Sequence, residues 1–203
     1  MRNRTNFRRK MLSRRSPPRI ISLTGVIDGG STDGSVEFIQ SQPQLVSAWV
    51  SEADNGIFDA MNKGIRLATG DWITFLNAGD SYTSETALER IFSRDLSAIH
   101  FVYTDMFLLS ESGKPVRKIP AEPLTRCSIS KGMIACHQGM FVRRVHCPFY
   151  KESLRYQGDL NWTMDILEAL EPAALLHVPE ALVYFSSGGF SFRRLFKQLQ
   201  AHL

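Results

Sequence analysis

Residues 56–80 read GIFDAMNKGIRLATGDWITFLNAGD, which spells a helix, a stop and a strand in succession. Ile57, Met61, Ile65 and Ala68 recur at spacings of four, four and three, the period of one helix face. Asp59, Asn62, Lys63 and Arg66 fall elsewhere on that helix, and Gly70 supplies its stop. Trp72-Ile73-Thr74-Phe75-Leu76 is then a short, nearly continuous apolar run of the kind buried on both faces of a sheet. Residues 77–82 follow as a polar loop.

The flanking sequence repeats the pattern. Residues 20–27 are apolar and β-branched enough for a strand, and they run into Asp28-Gly29-Gly30-Ser31-Thr32-Asp33-Gly34. Such a cluster after a strand is a turn into a helix, with Ser31, Thr32 or Asp33 available as the cap. Val36, Phe38 and Ile39 open a short helix that Pro43 closes, and residues 45–51 read as the next strand. Downstream come a helix around residues 85–92, a strand at 98–103, and two runs, 106–109 and 116–119, flanking Glu111-Ser112-Gly113-Lys114 as a hairpin. The alternation predicts an α/β fold on a mostly parallel sheet flanked by helices, with a small antiparallel hairpin. Ligands in such sheets sit beyond the carboxyl ends of the strands, so residues 28–34 and 77–80 are expected on one edge.

Bulk composition fits a single domain. Of 203 residues, 43% are hydrophobic and 22% charged, enough for a core without disulfides or structural metal. Cys127, Cys136 and Cys147 form neither a CxxC pair nor an even framework, which favours a reduced, cytoplasmic setting. No apolar run approaches the roughly 20 residues of a membrane span. The net charge of +4 is unevenly placed: residues 1–19 carry +8 with no acid, so the remainder carries −4. We expect a basic, disordered tail at 1–19 and one domain over 20–203. The tail could serve as an arm for anionic lipid or nucleic acid, as a transit peptide, or as sequence never selected to fold. The acidic body argues against nucleic acid.

Taken alone, residues 28–34 allow three interpretations. A calcium loop fails because Gly30 and Thr32 stand where other oxygen ligands belong and Ile39 holds the twelfth position. A dinucleotide fingerprint fails on glycine spacing. A strand-to-helix turn with an acid at the strand end remains, whether for capping or for binding.

Company sharpens the choice. Val26-Ile27-Asp28-Gly29-Gly30-Ser31-Thr32-Asp33-Gly34-Ser35, the run 51–64 and the run 68–80 together resemble family-2 glycosyltransferases of the GT-A, Rossmann-like fold. The nearest resemblance is to bacterial enzymes of exopolysaccharide, capsule and lipopolysaccharide synthesis. It continues through Cys136-His137-Gln138, Tyr156-Gln157-Gly158-Asp159-Leu160 and Tyr184-Phe185-Ser186-Ser187-Gly188-Gly189-Phe190-Ser191, covering roughly residues 26–192.

The resemblance implies transfer, with inversion, of a sugar from a nucleoside-diphosphate donor, UDP-sugars being commonest, to a polysaccharide or lipid-linked acceptor. A divalent Mn2+ or Mg2+ would offset the departing diphosphate. The family's acidic motif stands here as Asn77-Ala78-Gly79-Asp80, with Asp80 as metal ligand and Asn77 as a weaker oxygen or ribose contact. The bland alternative is a turn, since Asn, Gly and Asp are common turn residues. Asp28 matches the acid that meets the nucleoside, although many relatives have two adjacent aspartates where this chain has Asp28-Gly29. Asp59, Asn62 and Lys63 are candidates for the donor, Lys63 against diphosphate charge; a solvated helix face is the alternative. Asp159 matches the general base that deprotonates the acceptor hydroxyl, with helix capping as its alternative. His137 and Gln138 match a pair on the acceptor side. The implied setting is cytoplasmic, at the inner face of the plasma membrane, and peripheral membrane contact stays open.

One element of the pattern is unmatched. Relatives open with a strand, a loop and a helix ahead of the Asp28 strand, and nothing in residues 1–19 matches that unit. The sequence therefore reads as an N-terminally incomplete GT-A domain, with a non-catalytic remnant as the competing expectation. Residues 190–203 read as the beginning of an amphipathic helix packed on the core.

Overall fold

The computed structural model describes residues 23–110, 112–130, 132–154 and 157–186. The basic tail, residues 20–22 of the first strand, Tyr156, the run 187–191 and the helix expected at 190–203 all lie outside the described residues.

Strand β1 (Gly25–Asp28) pairs in parallel with β2 (Ala48–Ser51), and helix α1 (Ser35–Gln40) connects them. Helix α2 (Ile57–Leu67) then leads to β3 (Trp72–Ile73), followed by β4 (Ser81–Tyr82) and α3 (Ala87–Phe92). The long β5 (Phe101–Leu109) turns into β6 (Pro115–Ile119). A short helix α4 (Arg126–Ile129), strand β7 (Met140–Arg143), helix α5 (Gly158–Ala169) and strand β8 (Leu175–Ser186) complete the chain.

Six of the strands form one sheet in the order β3-β7-β5-β8-β4, with β6 paired to β5. Period-two alternation divides its side chains between two cores. Phe101 and Tyr103 of β5, with Met140 and Val142 of β7, face Trp162 and Ile166 of α5 and Met61 and Ile65 of α2. Val102 and Phe141 face the other way, onto Ala87 and Ile91 of α3. Helices therefore cover both faces, and the α/β class holds.

The pairing corrects the expectation of a mostly parallel sheet. Only β1–β2 and β5–β8 are parallel among the described residues; β3–β7, β4–β8, β5–β6 and β5–β7 are antiparallel. Parallel neighbours need a crossover. The β5–β8 pair has one that includes α5, whereas β6 returns from β5 as a hairpin and β7 enters antiparallel between β3 and β5. The hairpin of β5 and β6 lies where expected, although β5 is one continuous strand spanning two of the predicted runs.

The run 72–76 also differs from expectation. Only Trp72 and Ile73 join the sheet, as an edge strand on β7, and Leu76 is 43% exposed. Among the described residues no hydrogen bond joins the β1–β2 pair to the larger sheet. A cleft of about 2990 Å³ runs between them, lined by Ile27 on one wall and Ile73 and Phe75 on the other. Helix α2 spans both walls: a Cβ on its Gly64 would meet Ile27 at 3.7 Å and Phe75 at 4.0 Å.

Candidate functional site

The cleft gathers Asp59, Asn77, Asp80, His137, Gln138 and Asp159 on its walls. Their elements explain why. Asn77 and Asp80 occupy the turn after β3, closed by the Asp80 N–H donating to the Asn77 carbonyl at 3.0 Å. Gly79 takes φ 94° there, a left-handed conformation that favours glycine. The Ser186 N–H donates to Asp80 Oδ1 at 2.9 Å, which anchors the turn to the end of β8. Burial pushes the Asp80 carboxyl up, opposed by the Ser186 N–H and by Gln138.

Gln138 and His137 sit in a buried 3₁₀ turn, residues His137–Gly139, that abuts β5. A Cβ on Gly139 would lie 2.6 Å from Thr104 Oγ1, so close approach to the strand requires glycine. The Cys136 thiol donates to Gln138 Oε1 at 3.1 Å and is itself pushed up to about 12 by burial. Gln138 is also close enough to Asp80 to help hold its carboxyl down. His137 is buried, bonds Tyr150 Oη through Nε2 and stacks on Phe75 at 5.5 Å between centroids. Burial holds its imidazole down to about 4 despite the nearby Asp159 charge, so it is neutral at pH 7.

Asp159 is the second residue of α5. Its Oδ1 accepts the N–H of Leu160 at 2.9 Å, a local bond that leaves the helix N-cap to Gln157, whose side chain makes no cap bond. It is half-buried on the cleft wall, in reach of a ligand.

The candidates on the donor side separate into three kinds. Asp28 Oδ2 accepts from the N–H groups of Gly30 and Ser31 at 3.0 Å each and from Ser51 Oγ at 2.6 Å. Bonds from Ser31 and Ser51 hold the carboxyl down to about 2, so it is a fixed negative charge at the end of β1. Asp59 and Lys63 pair with each other at 3.3 Å. Asp59 also accepts the Asn55 N–H, while the Lys63 ammonium reaches Glu52 Oε1 and the Ala53 carbonyl, both at 3.0 Å. Three acceptors match its three hydrogens, so a phosphate would have to displace one. Asn62 is 2% exposed and turned inward: Nδ2 donates to the Tyr150 carbonyl and Glu152 Oε1, and Oδ1 accepts the Tyr150 N–H. Its amide hydrogens are spent within the protein.

Sequence reasoning passed over two features. Phe58, Phe75, His137, Tyr150 and Trp162 form a continuous aromatic cluster beneath Asp159, with Tyr150 and Trp162 stacked at 5.3 Å. Phe58-Met61-Asn62-Ile65 has helical spacing, but the polar Asn62 hid it. The second is Asp105, buried in β5, which receives Lys118 at 3.0 Å, His177 at 2.9 Å and the Ala121 N–H at 3.0 Å. No local pattern announces that cluster.

Among the described residues no group of three or more His, Cys, Asp or Glu gathers as a metal cage. A single carboxylate, Asp80, completed by diphosphate oxygens is the coordination Mg2+ commonly takes, so the residues fit a metal that arrives with its nucleotide.

Known proteins resemble this chain in sequence and in fold. The family model for glycosyl transferase family 2 matches residues 25–145. A PGL/p-HBAD biosynthesis glycosyltransferase of Mycobacterium bovis is 31% identical over 174 residues, 82% of this chain and 66% of the relative. An uncharacterized glycosyltransferase of Mycobacterium tuberculosis is 43% identical over 58 residues, 29% of this chain and 22% of the relative. The chain thus spans 66% of the length of the longer-matching curated relatives. In fold it is similar to S. aureus TarS 1-349 in complex with UDP, at a TM-score of 0.64 and 17% identity over 81% of this chain and 51% of that one. The mannosyltransferase PcManGT from Pyrobaculum calidifontis, in complex with GDP-Man and Mn2+, gives 0.58 and 16% over 85% and 50%. No helix among the described residues is long and apolar enough to cross a membrane.

Proposed function

From its membership of glycosyl transferase family 2, to which this chain belongs, we propose that it moves a sugar from a nucleoside-diphosphate-sugar to a saccharide or lipid-linked acceptor with inversion. The observation that carries the reading is the shared cleft, into which Asp80 and Asp159, 79 residues apart in the sequence, both open. Asp28 holds the nucleoside end through its fixed charge, accepting from ribose hydroxyls or a base N–H. Asp80, beside Asn77, would hold Mn2+ or Mg2+ against the diphosphate, and that ion supplies neutralisation of the leaving group's charge. Gln138 steadies the Asp80 carboxylate. Asp159 takes the proton from the acceptor hydroxyl as its oxygen bonds to the anomeric carbon. The bond from that carbon to the diphosphate oxygen breaks on the opposite face, so the configuration inverts. His137, neutral and buried, positions the wall behind Asp159. Neighbours in fold carry UDP or GDP-Man, which supports a nucleotide-sugar donor. The tail at 1–19 and the single domain over 20–203 are part of the same proposal.

Titration calorimetry of UDP, GDP and dTDP, with and without Mn2+, on the wild type and Asp80→Ala tests it. One nucleotide is expected to bind with the metal and to be lost in the variant. Equal binding without Mn2+ and in Asp80→Ala refutes the metal assignment, and a folded chain that binds none of the three refutes the donor.

A further inference from the structure

We propose that Phe58 positions Asp159: its ring, seated against Gly158, sets where helix α5 begins and so where the carboxylate points. The inference rests on the reading of Asp159 as base. It starts from a glycine that is not needed for its backbone. Gly158 does not adopt a positive φ, yet a Cβ there would lie 2.7 Å from Phe58 Cε1 and nearer still to Cε2 and Cζ. The residue is glycine because the ring takes the space of a side chain. Immediately before it, Gln157 holds φ 66°, a conformation sparsely populated by residues with a Cβ. The entry to the helix is therefore set on both sides, by an uncommon backbone turn and by a flat ring.

The ring is held in turn. Phe58 stacks on Tyr150 at 5.4 Å with an interplanar angle of 12°, and Tyr150 stacks on Trp162, one turn into α5, at 5.3 Å. Asn62, one turn along α2 from Phe58, fixes the backbone of Tyr150 through both its N–H and its carbonyl. Helix α2 thus grips residue 150 and residue 158 at once, while its Asp59 opens onto the same cleft as Asp159. A displacement of about 1 Å at a reacting group is worth on the order of 10²-fold in rate, so a methyl group at residue 158 is a proportionate probe.

The test compares wild type, Gly158→Ala, Phe58→Leu and the double variant. Three quantities are read: amide hydrogen exchange over residues 158–163, nucleotide affinity by calorimetry, and kcat and KM for transfer. Gly158→Ala should speed exchange and lower kcat about 10²-fold with nucleotide affinity unchanged. Phe58→Leu in that background should recover most of both losses, because the smaller side chain readmits the Cβ. Phe58→Leu alone should lose kcat by removing the support, which keeps the test in place if Gly158→Ala fails to fold. Wild-type exchange and kcat in Gly158→Ala overturn the proposal, as does a loss that Phe58→Leu leaves unrelieved or one that follows nucleotide affinity. A wild type that binds nucleotide but transfers no sugar fails the parent reading instead. Any rescued exchange would then report packing alone, and the positioning role would fall with the base.

Discussion

Asn62→Leu separates a ligand contact from a structural clamp. The amide is 2% exposed, and leucine has the same branching of heavy atoms, so the substitution removes the hydrogen bonds while its bulkier methyl groups add some overpacking to the loss. Three bonds disappear: to the Tyr150 carbonyl at 3.0 Å, from the Tyr150 N–H at 2.7 Å, and to Glu152 Oε1 at 2.8 Å. Glu152 is exposed and returns to water at little cost. The two Tyr150 backbone groups stay buried without partners, at about 1–3 kcal/mol each. The added apolar burial offsets about 1 kcal/mol of that sum. The expected loss is about 1–5 kcal/mol, against the roughly 5–15 kcal/mol typical of a domain. Urea unfolding followed by tryptophan fluorescence measures it as a lower midpoint at unchanged slope. Calorimetry on the folded fraction should find nucleotide affinity within about twofold of wild type, roughly 0.4 kcal/mol. A stability loss under about 0.5 kcal/mol, coupled with lost nucleotide binding, would refute the clamp and make Asn62 a donor contact.

Two further outcomes follow from the buried carboxylates. Burial pushes Asp105 up, and the Ala121 N–H, His177 and Lys118 together reverse that, leaving it below the ordinary value. A depressed carboxyl contributes stability in full above its unfolded value near 3.9 and loses it as pH falls through the folded value. Urea midpoints should therefore drop below about pH 4 in the wild type, and Asp105→Asn should be less stable at pH 7 and flatter over the acid range; an unchanged acid limb in the variant refutes the assignment. Asp159→Asn keeps the shape and removes the base: kcat should fall about 10²–10⁴-fold with donor KM little changed, in a coupled assay of nucleoside diphosphate release. A variant with wild-type kcat would leave Asp159 as a residue of the helix start only.

What was legible in the sequence was local. Residues 56–80 carry a helix, a stop and the apolar start of a strand within one window, and each signal depends on neighbours three or four positions away. The acids Asp28, Asp80 and Asp159 were singled out by the resemblance to the family's motifs, and each stands at the junction of an element and a loop. Sheet direction was not legible, because pairing joins distant segments: β7 reaches β5 across some 40 residues, and nothing in Met140-Phe141-Val142-Arg143 marks it as antiparallel. The apolar run 72–76 looked like a central strand by composition, yet its position beside the cleft leaves Leu76 on the surface. Helix α2 shows the same limit at finer grain. Its expected face began at Ile57, which is 51% exposed, whereas Phe58 turns inward with Met61, Asn62 and Ile65. The two faces share Met61 and Ile65, so the observed face is turned by roughly half of the 100° step between neighbouring residues, and the polar side chain at residue 62 hid that turn.

That rotation matters for the site. With Phe58 and Asn62 inward, Asp59 and Lys63 are carried toward the loop 52–55, where Lys63 ties Glu52, Ala53 and Asp59 together. Lys63 then holds the loop beside Asp28 rather than standing free for a phosphate. The described residues thus bring more negative than positive charge to the cleft, and a diphosphate entering it is opposed by Asp80 and Asp159, while Asp59 is offset by Lys63. At an effective dielectric of about 20, each such charge 6 Å away costs about 3 kcal/mol. Among the described residues, a divalent cation arriving with the nucleotide is the simplest compensation for that charge. The prediction is a sharp one: the proportion of nucleotide bound should rise with Mn2+ from a baseline near zero, and a nucleoside lacking phosphates should bind equally well with and without the metal.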